Sequence, residues 1–135
     1  MKKIACYLFV ILTAACSPQL SPDNNWGSQR WVVVEMKEVP VQLSGTNRDA
    51  YLEFSPADKR ISGNAGCNRV GGNYTLEKKQ GIRFSEISST KMSCPDIAFE
   101  TTFLDLLGQV DRHEVTGDLM LLKDEGKVLL MLKRR

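Results

Sequence analysis

Cys67, Cys94 and His113 carry most of the side-chain chemistry that this 135-residue sequence offers. A thiolate nucleophile needs a base beside it and a third group to orient that base. His113 is the single histidine, and Asn68 or Asp96 would complete a triad on paper, but no spacing brings these residues together. The same three side chains supply three metal ligands without the Cys-x-x-Cys or His-x-x-x-His pair that pre-organises a zinc site. His113 reads as a surface residue at a helix–strand junction. Two acidic pairs, Glu100 with Asp105 and Asp124 with Glu125, fall on the polar side of a helix and in a turn, where charges are solvated. The expectation is therefore no catalytic residue, no metal and no cofactor. The competing reading is an enzyme of unrecognised chemistry, for example a hydrolase using Cys67 or Cys94.

The glycine-dense stretch Gly63-Asn64-Ala65-Gly66-Cys67-Asn68, followed by Gly71, Gly72 and Tyr74, invites comparison with a phosphate loop. The Lys-Ser/Thr of such a loop is missing, and no helix follows to aim its N-terminus at an anion. Glycines here are better explained by backbone geometry, since they permit positive φ and close chain approach at bulges and barrel corners. Asn68 and Asn73 are suited to hydrogen-bond turn backbone. Met92 and Phe99 would suit the lining of an apolar cavity, but core packing is the expectation, because a small domain has few apolar side chains to spare.

The compartment decides what the cysteines become. Met1-Lys2-Lys3, the uncharged run Ile4 to Leu12 and Thr13-Ala14-Ala15-Cys16 form a basic end, an apolar run and a small-residue cut site, as in a secretory signal peptide. The run is shorter than the ~20 residues a membrane span needs. The last positions resemble a lipobox, with Leu12 one place early and Thr13 where it would stand, so Cys16 is expected to carry lipid. Several acyl chains anchor stably where one is marginal. Ser17 in place of an aspartate resembles the outer-membrane address of Gram-negative lipoproteins. Export removes Cys6 and modifies Cys16, leaving Cys67 and Cys94 as an even pair where disulfides persist. A bridge between them would contribute roughly 3.5 kcal/mol by loop entropy; buried free thiols are the alternative.

Lys plus Arg number 18 and Asp plus Glu 16, so loss of Lys2 and Lys3 leaves a mature chain with no formal net charge. That excludes a basic stripe for nucleic acid. Lys133-Arg134-Arg135 is read as a solvated end.

The elements follow from local pattern. Residues 1–15 are the signal, 16–29 a polar tether and 30–135 the domain, with Trp26 expected to make a contact at the start of the fold. Short strands are expected at Trp31–Met36, at Val39–Leu43 past Pro40, around Tyr51–Phe54, at Arg60–Ser62, Tyr74–Glu77 and Ile82–Ile87, and again near Glu114, Leu119 and Val128. One amphipathic helix is expected at about residues 95–110, with Cys94 or Ser93 as cap, Pro95 in the first turn and Ile97, Phe103, Leu104, Leu107 and Val110 at helical spacing. The fold class is α+β: mostly an antiparallel β meander forming a small curved sheet or partly open barrel, with that one helix.

Trp31, Gly63-x-x-Gly66-Cys67-Asn68, Gly72-x-Tyr74, Ser89-Thr90-Lys91-Met92-Ser93-Cys94 and Glu100-x-x-Phe103-Leu104 together resemble the META domain family of HslJ-like lipoproteins. The resemblance covers Trp31 to about Met131, with Ser93 standing where Ala is common. It implies a compact, mostly β domain with a helix, associated with the cell envelope and with stress tolerance, and without an agreed biochemical activity. The functional expectation is a non-enzymatic lipoprotein, held to the membrane by its lipid on the periplasmic side. It would bind an envelope protein or a small apolar ligand.

Overall fold

Alternation of apolar and polar side chains sets the strands, and the computed structural model describes them over residues 26–135. The signal, Cys16 and the tether up to residue 25 lie outside the described residues. The elements run β1 (Arg30–Met36), β2 (Val39–Pro40), β3 (Tyr51–Ser55), β4 (Arg60–Asn64), β5 (Arg69–Glu77), β6 (Gly81–Ser89), α1 (Ile97–Gln109), β7 (Arg112–Thr116), β8 (Leu119–Asp124) and β9 (Lys127–Arg134). In β3, Leu52 and Phe54 are buried while the residues between them are not. That two-residue period places one face inward.

All strand pairs are antiparallel and join neighbours in chain order, except that β1 pairs with β3 past β2 and also pairs with β9. This last pairing closes β1 and β3 to β9 into a ring, so the sheet is a barrel and its edges are largely removed. β2 is a two-residue flap on the far half of β1, with Glu35 opposite Pro40 and Met36 opposite Val39. The weakest seam is β6 to β7, joined only at Gly81–Arg112. The connection across that seam is α1, which packs against β6 and β9. It buries Phe103, Leu106 and Leu107. Trp31, Leu52, Phe54, Ile61, Tyr74 and Leu122 are among the side chains that fill the barrel.

Three boundaries differ from the sequence-based expectation. The helix begins at Ile97 behind the N-cap Asp96, and Pro95 lies in the preceding turn, so neither Ser93 nor Cys94 caps it. β5 starts at Arg69, well ahead of Tyr74, because Gly71 and Gly72 lie inside a strand and not in a turn. Glycine at 72 permits tight packing: a Cβ there would stand 3.0 Å from the Ser85 carbonyl oxygen. At Gly63 a Cβ would clash with the Tyr51 carbonyl oxygen. Finally, the folded unit includes Trp26, ahead of the expected start at Arg30. Trp26 is only 4% exposed, and its carbonyl accepts the Trp31 indole N–H at 2.9 Å.

Candidate functional site

The loop between β4 and β5 turns on its own backbone: the Ala65 N–H donates to the Asn68 carbonyl at 2.8 Å, and the Gly66 N–H to Asn64 Oδ1 at 2.7 Å. This turn delivers Asn68 to the barrel rim as a buried side chain. Its Nδ2 donates to both Glu100 carboxylate oxygens, at 3.1 and 3.0 Å, and its backbone N–H donates to Oε2 at 3.1 Å. Its Oδ1 accepts the Thr90 hydroxyl and the Met92 N–H, both at 2.8 Å. One asparagine thereby joins the β4–β5 loop, the segment before α1 and the first turn of α1.

Glu100 corrects the sequence reading. The helical pattern places it on a solvated face, yet it is 4% exposed. Its three contacts from Asn68 are all N–H donors, which is what a buried carboxylate requires. Met92 also departs from expectation. It is neither core nor cavity lining but 58% exposed, and only its backbone is used. Cys67 and Cys94 are joined as a disulfide with Cα atoms 6.3 Å apart, inside the range the bond requires. The bridge adds a covalent link between the two segments that Asn68 already ties.

Above this rim lies a groove of about 1040 Å³. One wall is the β1–β2 hairpin with Met36, Val39 and Val41; the facing wall is the start of α1 with Pro95, Ala98 and Phe99. Gly66 contributes to its lining, and the loop from Ser44 to Asp49 forms a polar side. That loop is tied by Asp49, whose carboxylate accepts the Ser44 N–H and hydroxyl at 2.7 Å each and the Gly45 N–H at 2.9 Å. Burial works to raise its pKa, but these donors and the Arg135 guanidinium outweigh it and hold the carboxyl below its usual range. Val39 is 64% exposed, so the apolar wall is open to solvent.

The structure does not assemble the triad or the metal set considered from sequence. β6 runs from Gly81, beside Arg112, to Ser89, beside Val70. Its nine residues span roughly 25 Å. His113 adjoins the first end and Cys67 the other. His113 is also not a surface residue: it is 9% exposed, its ring is 5.4 Å from that of Trp26, and burial pushes its imidazole below the usual range. Among the described residues no group of three or more His, Cys, Asp or Glu is placed to hold a metal.

The other residues singled out are architectural. Trp31, Tyr74 and Phe103 are in the core, with the Tyr74 hydroxyl donating to the Ser55 carbonyl at 3.4 Å. Thr90 returns a second bond by accepting the Arg69 N–H at 3.1 Å. The sequence reading missed Asp49 and the β2 flap as parts of a site. The Ser44-Gly45-Thr46-Asn47 turn just ahead of an acidic residue was the available signal, since short polar side chains beside a turn commonly tie its backbone.

Comparisons with known proteins agree with this architecture. A sequence model of the META domain matches residues 24–135. No curated protein matches. An NMR structure of a protein from Burkholderia xenovorans is 22% identical, with a TM-score of 0.64, covering 93% of this chain and 99% of its own. A crystal structure of a DUF4847 family protein from Bacteroides vulgatus is 15% identical, with a TM-score of 0.61, covering 81% of this chain and 93% of its own. At these identities the two structures speak for the fold. With the family pattern matched across the whole described barrel, the chain belongs to the META domain family.

Proposed function

We propose that the protein is a non-enzymatic lipoprotein of the cell envelope that binds an apolar segment of another envelope protein in the groove between the β1–β2 hairpin and α1. The observation that carries this reading is the groove itself: apolar walls with Met36, Val39 and Val41 on one side and Phe99 on the other, beside the polar loop tied by Asp49. Small-molecule sites enclose most of their ligand. This groove is open, and Val39 on its wall is an exposed apolar side chain, which favours a protein surface. Lipid on Cys16 would hold the domain to the outer membrane on its periplasmic side.

Photo-crosslinking tests the reading. A photoreactive side chain at Val39 should give a discrete protein adduct in intact cells, and the same group at exposed Leu76, which does not line the groove, should not. Equal labelling at both positions, or an adduct of lipid mass at Val39, contradicts a protein partner. Reproducible turnover in a broad hydrolase screen contradicts the non-enzymatic reading.

A further inference from the structure

The Trp26 ring closes the barrel at the end of β1 and β3 away from the groove. It stands edge-on to Phe54 at 4.7 Å and lies 5.8 Å from Tyr74 and 5.4 Å from His113. Two hydrogen bonds tie the segment down: the Ser28 N–H to the Phe54 carbonyl at 2.8 Å, and the Trp31 indole N–H to the Trp26 carbonyl at 2.9 Å. Beneath this cover, His113 Nδ1 is buried with no hydrogen-bond partner.

We propose that the Trp26–His113 contact is an acid-released latch: protonation of His113 frees Trp26 and residues 26–29 from the barrel and lengthens the chain that precedes β1. A neutral imidazole tolerates this site because one nitrogen can remain without a proton. An imidazolium carries a proton on both nitrogens and needs acceptors or water. Nδ1 itself has no partner, and the Gln80 backbone carbonyl, the acceptor that does favour the charged form, is outweighed by burial. Gln29 Oε1 and Asp111 Oδ1 are themselves buried without partners, so neither hydrogen-bonds to Nδ1.

The other groups around the contact do not neutralise the charge. Tyr74 on β5 is pushed up by burial and stays neutral, with Lys59 Nζ 5.8 Å from its ring and Asp58 near its phenol. On β7 and β8, Glu114 and Lys123 pair with each other, and the Gln80 backbone carbonyl, which also accepts the His113 main-chain N–H, favours the charged form less than burial opposes it. The attraction of an imidazolium for the indole ring is smaller than the cost of keeping an unpaired charge from water. Lifting Trp26 admits that water, so the proton favours the released state. Release of residues 26–29 adds up to ~13 Å of chain. The latch is independent of the groove.

His113 is the single histidine, so its NMR titration is unambiguous. In the full-length protein in detergent micelles, the Ser28 amide and the Trp31 indole N–H should lose at least twofold of their exchange protection between pH 7.5 and pH 5.0, after correction for intrinsic rates. Amides of β5 and α1 should keep theirs. The His113 midpoint should lie below the ~6.5 of a free imidazole, and His113→Phe should remove the response. The proposal is overturned by a midpoint at or above that value, by protection that does not change with pH, by a response that survives in the variant, or by loss spread over the whole barrel. If His113→Phe does not fold, the wild-type titration and exchange pattern decide alone.

Discussion

Asn68 and Glu100 are 32 residues apart in sequence and form a buried pair in which the asparagine offers both side-chain and backbone N–H groups to one carboxylate. Removing the asparagine side chain strands a buried carboxylate with only the backbone donor. Asn68→Ala is expected to lower stability by about 3 kcal/mol, within the range for breaking a buried charged contact. Glu100→Gln keeps the shape but presents an amide to an amide, and should cost about 1–2 kcal/mol. Urea denaturation of both variants checks this. Losses below about half a kcal/mol would mean that the pair is water-exposed in solution.

The disulfide ties the same two segments covalently. Protein taken from the envelope and alkylated under denaturing conditions without reductant should show no alkylation at Cys67 or Cys94 by mass spectrometry. Replacing both with Ser should cost up to roughly 3.5 kcal/mol by the loop-entropy formula. Two alkylation events in the unreduced sample would restore the free-thiol alternative.

Acid should act on the groove wall through Asp49. Its folded pKa is depressed, so its stabilisation is complete above the ordinary carboxylate value of ~3.9 and is lost as pH falls through the folded value. Asp49→Asn should therefore be less stable than wild type at pH 7, and the gap should narrow below about pH 4. Urea midpoints at pH 7, 4 and 3 measure it; a gap that stays constant with pH would assign the loss to packing.

Much of this fold is legible in local pattern, because hairpin strands and one amphipathic helix need only nearby residues to specify them. Leu52 and Phe54 alternate with polar neighbours, and Phe103 and Leu107 share a helix face. Long-range pairing is what local pattern cannot carry. Glu100 looks solvated on a helical wheel, and only its partner on a distant loop explains its burial. His113 and Trp26 hide one another, each explaining the other's burial. The glycines of β5 resemble a turn until the neighbouring strand shows why no side chain fits there. The groove is the least legible part, since it arises from separated segments: Met36–Gln42, Ser44–Ala50, Gly66 and Pro95–Phe99.

Anchoring has its own test. If lipid on Cys16 is the anchor, as proposed, Cys16→Ser should release the protein from the membrane fraction; no helix among the described residues is long and apolar enough to cross a membrane. Retention on membranes after a high-salt wash would show that the protein surface contributes attachment.

The family motif, on this account, builds one wall of a binding groove. Asn68, Thr90, the disulfide and Glu100 hold the start of α1, where Pro95, Ala98 and Phe99 face the hairpin. The most direct measurement is the yield of the Val39 photo-crosslink in wild type and in Glu100→Gln, at a temperature where both are folded by circular dichroism. The account predicts a discrete protein adduct in wild type and at least a fivefold lower yield in the variant. No adduct in wild type, or equal yields in both, would contradict it.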